Sequence, residues 1–191
     1  MHDPATTWLR AMAHNNAWAN HRLLRACAGL TPEAFAAPRT SFFPSLPATL
    51  NHILIVDWYY VDALEGGTLG PAAFASELPC PALADLSREQ RAVDRRLIAV
   101  CANLTADRLA GPVAMIRARG VVTDRVDRVL LHLFQHQLHH RGQAHAMLAG
   151  TAVKPPQLDE FFMAGESALR ADDFAELGFD EGELWGAPEV G

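Results

Sequence analysis

The amino-acid sequence predicts an all-α protein: a four-helix bundle with short extra helices and a small two-stranded ribbon before the fourth long helix. Four long segments repeat apolar residues at helical spacing, and capping residues, proline or glycine bound them. Half of the 191 residues are apolar and 20% are charged, which is the balance of a globular chain able to bury a core. We therefore expect one helical domain over residues 1–175, followed by an acidic tail over residues 176–191.

The first half of the chain contains the first two long helices. Asp3, which is followed by proline, is typical of an N-cap and predicts a helix that ends near Ala28. Thr31 repeats the cap-plus-proline pattern and predicts one short turn of helix. A proline-containing loop precedes residues 47–64 and two glycines follow them, so this apolar segment is predicted to be the second long helix.

The second half contains the other two long helices. Ser87 and Gln90 have the spacing of a capping box, which predicts the start of the third long helix. Residues 112–123 alternate loosely around a glycine and predict the two-stranded ribbon. The fourth long helix is predicted over residues 124–148, and a shorter fifth helix within residues 157–171. The acidic residues beyond that helix are expected to lie on the surface.

Charge and cysteine content argue against several classes of protein. The net charge of −6 is unfavourable for nucleic-acid binding, which needs a clustered positive field. The three cysteines are widely spaced and predict buried thiols, not disulfides or a thiolate zinc site. The longest apolar stretch is too short and too polar to span a bilayer, and no secretory signal is visible. We expect a cytoplasmic protein without nucleic-acid or membrane partners.

One segment of the fourth long helix is rich in histidine. Residues 132–145, HLFQHQLHHRGQAH, hold five of the nine histidines of the chain. At about 100° per residue, His132 and His140 lie about 40° on either side of His136. His139 lies at the edge of this stripe, and His145 lies on the opposite face. The sequence therefore predicts one helix face with three histidines.

Histidines four residues apart project side by side from successive turns and can reach one metal ion. Two pairs have this spacing, His132 with His136 and His136 with His140. The alternative interpretation is a row of exposed or hydrogen-bonded histidines beside a core stripe. That interpretation suits His145 and His132 but is less suited to His136, because an inward imidazole needs partners for both ring nitrogens.

A third ligand would have to come from another helix. His52 is the best candidate because it lies in the most apolar helix, where an unpartnered ring would be costly. His14 and His21, seven residues apart on the first helix, are its rivals. Their neighbouring residues are more polar, which favours exposure.

Three blocks of sequence resemble the DinB-like superfamily. They are NNAWANHRLL (15–24), TLNHILIVDWYYVDAL (49–64) and HLFQHQLHHRGQAHAML (132–148), and QLDEFF (157–162) is similar to a segment that follows the last of them. The order of the blocks and the H-x-x-x-H-R-G-Q motif are the specific parts of the resemblance.

The resemblance implies a four-helix bundle with a divalent metal at the mouth of its core. It implies His52, His136 and His140 as the ligands, and so decides against His132. It also implies a homodimer and a small-molecule substrate. Some members of the superfamily resemble enzymes that transfer a low-molecular-weight thiol to electrophiles or isomerise a substrate with the help of a thiol cofactor, and many have no established reaction.

Three imidazoles leave coordination positions for water or substrate, as in catalytic metal sites. The ligand set suits zinc, nickel, copper or iron, with zinc or nickel expected first. The functional hypothesis is thiol S-transfer or thiol-assisted isomerisation, with a low-molecular-weight thiol as co-substrate. The alternatives are a metal-dependent hydrolase and a non-catalytic metal-binding dimer acting as a sensor or scaffold. No residue of the chain is assigned a catalytic role.

Gln143 and Tyr59 are candidates for supporting roles near the histidines, whereas Asp57 lies about 140° from His52 and is badly aimed for one. Gln143 lies on the stripe and is expected to hold a water or orient a ligand, unless it is a surface or inter-helix amide. Tyr59 follows His52 by seven residues and is either a pocket wall or a core aromatic. Asp57 is expected to form a salt bridge with an arginine on a neighbouring helix.

Overall fold

The computed structural model describes residues 4–185 of the chain. In chain order the helices are α1 (Pro4–Cys27), α2 (Pro32–Ala36), α3 (Leu46–Leu64), α4 (Leu83–Ala102), α5 (Ala106–Ala110), α6 (Val126–Ala149), α7 (Ala171–Leu177) and α8 (Glu181–Trp185). Two short 3-10 helices cover Gly70–Phe74 and Ala164–Leu169.

The four long helices α1, α3, α4 and α6 form the predicted bundle. Helix α1 packs against α4 and α6, and α3 packs against the same two helices. Their facing sides bury one continuous apolar core that runs through all four helices. The three cysteines are free and buried, as expected. Within the described residues, no helix is long and apolar enough to cross a membrane.

Side-chain caps begin α2 and α3 as the sequence indicates. The Thr31 hydroxyl accepts a hydrogen bond from the Ala34 N–H, and the Ser45 hydroxyl accepts one from the Ala48 N–H. A proline follows closely in each helix, where a missing N–H costs nothing. The proposed cap Asp3 lies outside the described residues.

The capping box predicted at Ser87 and Gln90 is wrong. Helix α4 begins four residues earlier, at Leu83, so Ser87 lies inside the helix. Gln90 is buried, and its side-chain amide donates hydrogen bonds to Asp57 (2.8 Å) and Asp94 (3.2 Å). The same polar residue can cap a helix or satisfy a buried carboxylate, and sequence spacing does not distinguish the two.

The predicted ribbon is present. Strands β1 (Pro112–Arg117) and β2 (Gly120–Arg125) pair antiparallel, two residues further than predicted. Gly120 has φ of 125°, a conformation that side-chain-bearing residues rarely adopt, and it allows the tight turn. The ribbon packs against α3, where the Tyr59 hydroxyl donates to the Ile116 carbonyl at 3.1 Å.

The fifth helix predicted within residues 157–171 is wrong. Irregular chain and a 3-10 helix occupy most of that segment, and the α-helix α7 begins only at Ala171. Arg170 fixes this arrangement: its buried guanidinium pairs with Glu181 at 2.7 Å and donates to the Glu160 carbonyl at 2.8 Å. These contacts join residues that lie in different segments, outside one helical repeat, and they leave no periodic signal.

The acidic segment expected on the surface is instead packed against α1 over residues 171–185. Phe174 and Leu184 are buried in a second apolar cluster around Trp18. The Trp18 indole N–H donates to Asp173 at 3.2 Å. The predicted boundary between residues 175 and 176 falls inside α7, and the tail beyond Trp185 lies outside the described residues.

A buried polar network connects the four long helices. Its members are Asn16, Asn20, Asp57, Gln90, Asp94, Gln137 and Arg141. The Arg141 guanidinium donates to the side-chain oxygens of Asn16 (2.8 Å) and Asn20 (3.0 Å). Gln137 directly follows His136, and Arg141 directly follows His140. By holding Gln137 and Arg141 in the core, the network fixes the rotation of α6 and therefore the direction in which the two histidines point.

The salt bridge predicted for Asp57 is wrong. Within the described part of the chain, its hydrogen-bond donors are the amides of Gln90 and Gln137. The pKa of the Asp57 carboxyl is raised to about 8, first by burial and then by repulsion from Asp94. Uncharged donors therefore hold a carboxyl group that keeps its proton near neutral pH.

This raised pKa predicts a pH-dependent contribution to stability. The unfolded chain releases the Asp57 proton near pH 4, whereas the folded chain holds it to about pH 8. Folding therefore loses up to about 1.4 kcal/mol per pH unit from this group as pH rises between those values. In Asp57→Asn that loss is absent, because the amide cannot ionise.

The measurement is urea unfolding of metal-free wild type and Asp57→Asn at pH 5 and pH 8. Between pH 5 and pH 8, we expect the free energy of unfolding of the wild type to fall more than that of the variant. The amide side chain of Asp57→Asn would bring an NH₂ group that needs an acceptor. Gln137 Oε1 can accept from it, because this oxygen has no hydrogen-bond partner within residues 4–185. Parallel pH profiles would show that Asp57 is ionised in the folded protein.

Candidate metal centre

Three histidines converge between α3 and α6. His52 projects from α3, and His136 and His140 project from successive turns of α6. One ring nitrogen of each lies within 4.8 Å of one ring nitrogen of the other two. This is the trio that the resemblance implied.

The spacing of two of the three nitrogens matches the demands of one ion. His52 Nε2 and His136 Nε2 are 3.0 Å apart. Two nitrogens bound at 2.0–2.1 Å to one ion lie about 2.9–3.4 Å apart for bond angles of roughly 90–109°. The ring centroids of His136 and His140 are 4.4 Å apart, which is the side-by-side arrangement of an i, i+4 pair.

All three imidazoles are neutral at physiological pH. Burial, followed by repulsion from neighbouring histidines, lowers the pKa of His136 to about 3. Burial and repulsion from His140 lower the pKa of His52 to about 4. Burial also lowers the pKa of His140, although its hydrogen bond to Gln143 opposes the shift. Protons therefore do not compete for the ring nitrogens near pH 7.

The donor set fits a divalent transition-metal ion. Neutral imidazole nitrogens suit zinc, nickel, copper and iron. The trio includes no carboxylate in the part of the chain that the structure describes. His136 Nδ1 is buried and has no hydrogen-bond partner among those residues. His52 and His136 are only half-buried, and three nitrogen donors leave coordination positions free, which corresponds to an open site and not to a closed structural one.

Gln143 fixes the orientation of His140. The Gln143 side-chain oxygen lies 2.9 Å from His140 Nδ1, and its nitrogen lies 3.1 Å from His139 Nε2. Since the amide oxygen only accepts, His140 Nδ1 carries the proton and donates it to Gln143. The other nitrogen of His140, Nε2, then keeps a free lone pair.

Comparison with known proteins agrees with this geometry. The model of the DinB family matches residues 1–170 of the chain. The chain belongs to the DinB family. It is also 28% identical over 146 residues to Protein DinB from Bacillus subtilis (strain 168), a match that covers 73% of this chain and 85% of that protein.

The DinB fold is supported by a solved structure as well. The crystal structure of a DinB-like protein from Bacillus cereus ATCC 10987 matches with a TM-score of 0.56 and 15% sequence identity. The match covers 73% of this chain and 90% of that one. At this level of identity the likeness concerns the fold alone.

An aromatic pair beside the three histidines was not predicted from the sequence. Phe43 packs against His52 and His140, with ring centroids 4.4 Å and 5.5 Å away. Phe42 lies 6.5 Å from His140 and is 78% exposed. The sequence signal was two adjacent aromatics in the proline-containing loop that enters the His52 helix. In this DinB-family chain, the pair forms an apolar wall at the mouth of the site.

The remaining histidines of α6 lie outside the trio. His132 is exposed, and its ring centroid lies 6.3 Å from that of His136. His139 contacts Gln143, and His145 lies 2.9 Å from the Pro156 carbonyl on the opposite face.

The two rival histidines of α1 are bound elsewhere. His14 Nδ1 lies 2.8 Å from the Arg10 carbonyl, and His21 Nε2 lies 3.0 Å from Glu176. The expectation that His21 is exposed is wrong, because only 9% of its side chain is accessible. The packing of the C-terminal helices against α1 causes this burial.

Tyr59 lies inside the core and not at the mouth. Its side chain is buried among apolar residues, and its ring packs against Tyr60 and Phe74. This is the placement of a core aromatic. The neighbouring Tyr60 approaches the histidine stripe, with its ring centroid 5.3 Å from that of His132.

Proposed function

We propose that this DinB-family chain is a metal-dependent enzyme that acts on small molecules, by thiol S-transfer or thiol-assisted isomerisation. The observation that carries the proposal is the convergence of His52, His136 and His140 with lowered pKa values at a partly open position. These three residues would hold the ion. Bound there, a divalent zinc or nickel ion lowers the pKa of a thiol or water in its remaining positions.

The protein residues supply orientation and an apolar surface. Gln143 holds His140 in the tautomer whose lone pair faces the centre. Phe42 and Phe43 reduce access of water on one side and offer contact to an apolar substrate group. Neither Gln143 nor the phenylalanine pair can act as a general base. A reaction whose nucleophile is already a thiolate does not need one.

In the transfer reaction the atoms balance without an additional redox partner. The co-substrate thiol releases its proton to solvent, and its sulfur forms a bond to an electrophilic carbon. The leaving group departs from that carbon with the bonding electron pair. Thiol-assisted isomerisation uses the same S–C bond formation, followed by bond rotation and release of the thiol.

A non-catalytic metal-binding bundle is the competing function, because no general base is identified beside the trio within the described residues. Such a protein would serve as a sensor or scaffold. Metal-dependent hydrolysis is the other alternative, with water in place of the thiol. The homodimer, the cytoplasmic location and the absence of nucleic-acid or membrane partners stay predictions.

The test is turnover by metal-replete protein, with the metal identified by elemental analysis. Cysteine, glutathione and 2-mercaptoethanol would each be combined with 1-chloro-2,4-dinitrobenzene, and esters would be assayed in parallel. We expect thiol-dependent chloride release above the rate of the same metal in buffer, and loss of that rate in His136→Ala. Ester hydrolysis alone supports the hydrolase, and no turnover supports the scaffold.

The proposed role of Gln143 gives a separate prediction. In Gln143→Leu, His140 loses the acceptor that orients it, and metal affinity should fall by about 10–100-fold. Competition with a chromophoric chelator measures the affinity. Gln135→Leu is the matched control, because Gln135 is exposed on the same helix. Equal affinities in the two variants would assign Gln143 to the helix surface.

A further inference from the structure

A cavity separate from the three-histidine site lies between α1, α4 and the C-terminal segment. Its volume is about 320 Å³, within the range of small-molecule pockets. Its apolar walls come from Ala17, Leu24, Ile98, Leu177 and Phe179. It shares no lining residue with the three-histidine site, so it requires an explanation of its own.

The polar side of this cavity is positively charged. Arg25, Arg91 and Arg95 line it, and Arg91 and Arg95 lie one turn apart on α4. Arg25 pairs with Asp173 at 2.9 Å and with Glu176 at 3.3 Å. Within residues 4–185, neither Arg91 nor Arg95 has a carboxylate at ion-pair distance. Two guanidinium groups therefore remain available to an anion.

One carboxylate lines the cavity, but it is hydrogen-bonded to buried side chains and has neither Arg91 nor Arg95 at ion-pair distance. Asp94 is buried and accepts hydrogen bonds from Asn16, Asn20 and Gln90. Asp94 therefore forms no ion pair with Arg91 or Arg95, and the charges of the two arginines stay available to a ligand.

Arg91 is held at the edge of the cavity by a chain of contacts. Its guanidinium lies 3.3 Å from His21 Nδ1, and His21 Nε2 lies 3.0 Å from Glu176. Because a guanidinium only donates, His21 Nδ1 accepts from Arg91, and the ring proton of His21 lies on Nε2 beside the Glu176 carboxylate. This places a donor-rich guanidinium beside an apolar cavity.

We propose that this cavity binds a small amphipathic anion, an apolar body that carries one carboxylate. The body would displace water from the apolar walls, and the carboxylate would accept hydrogen bonds from Arg91 and Arg95. Planar guanidinium groups match the geometry of a carboxylate. An alkyl phosphate has related chemistry, so the experiment compares the two.

Isothermal titration of the full-length protein with octanoate tests the proposal. We expect one octanoate per chain, binding by 1-octanol at least about tenfold weaker, and no binding of octylamine. Arg91→Gln combined with Arg95→Gln should weaken octanoate binding by about tenfold or more. Ala28→Trp, at an exposed position on the cavity wall, should block binding without removing a charge.

Two controls separate this site from other causes of binding. Arg88→Gln removes the same charge from α4 at a position outside the cavity, where Arg88 pairs with Asp85 at 2.6 Å, and should bind octanoate like the wild type. His136→Ala should also retain octanoate binding, because His136 does not line the cavity. If octanoate instead bound at the three-histidine site, this variant would lose it. This control makes the result independent of the proposed function.

Four results of the titrations would overturn the proposal. They are no octanoate binding at millimolar concentration, unchanged affinity in the double arginine variant, loss of binding in His136→Ala, and octyl phosphate binding more than tenfold tighter than octanoate. Sedimentation of Arg91→Gln provides one further check. A dimer that dissociates on this substitution would make the cavity part of a subunit interface, and the small-anion site would be wrong.

Discussion

Replacing His136 by alanine is expected to abolish tight, stoichiometric metal binding while the bundle stays folded. His136 is the central member of the trio, with its Nε2 3.0 Å from His52 Nε2 and its ring beside that of His140. Removing it leaves two ligands from different helices. Affinity should fall by more than about 100-fold, which exceeds the usual effect of losing an outer partner.

Elemental analysis after gel filtration and metal-dependent thermal unfolding measure this effect. At a free metal concentration of about 100 times Kd, binding stabilises a folded protein by about 2.7 kcal/mol. The metal should therefore raise the Tm of the wild type but not that of His136→Ala. His132→Ala is the matched control, since His132 lies on the same stripe outside the trio and should retain the metal. One tight metal per chain in His136→Ala would refute the ligand assignment.

Replacing Arg141 by leucine is expected to destabilise the fold by roughly 3–5 kcal/mol, because it removes one member of a buried charged network. Arg141 is buried, and burial lowers its pKa to about 10, while the nearby Asp94 and Asp57 oppose that shift. Without it, two buried carboxyl groups lose their positive neighbour, and Asn16 and Asn20 lose a donor. Chemical unfolding at pH 7 measures the loss.

Arg128→Leu is the control for the loss of one positive charge on α6. Arg128 is 71% exposed and pairs with Asp124 at 3.4 Å, so the change in free energy of unfolding should not exceed about 1 kcal/mol. Adding Asp94→Asn to Arg141→Leu should recover part of the lost stability, because the pKa of Asp94, about 6, leaves it as the ionised carboxylate at pH 7, whereas Asp57 keeps its proton. Equal losses in the two single variants would show that the network contributes little.

Local sequence patterns predicted the features that belong to one helix at a time. The bounds of α3 follow from the proline at its start and the glycines after it, and α6 ends just before Gly150. The i, i+4 spacing places His136 and His140 on one face. The ribbon was predicted over residues 112–123 for the same reason, from alternation around Gly120, and it spans residues 112–125. Each of these inferences needs only the fixed geometry of a helix or a turn.

Predictions that joined different elements had mixed outcomes. His52 was favoured over His14 and His21 from the polarity of neighbouring residues and then from the family resemblance, and the structure places it beside His136. The partner of Asp57 was wrongly expected to be an arginine, since glutamine amides from α4 and α6 reach it instead. Both outcomes depend on how helices rotate against each other, and spacing within one helix does not specify that rotation.

By itself, then, the sequence determined an all-α bundle with paired histidines on its last long helix, because period and capping are local properties. Only the tertiary structure decided the C-terminal packing against α1, the Phe42–Phe43 wall and the arginine-lined cavity. These features join residues that are distant along the chain. Their formation depends on shape, burial and hydrogen-bond partners that exist only once the helices have packed.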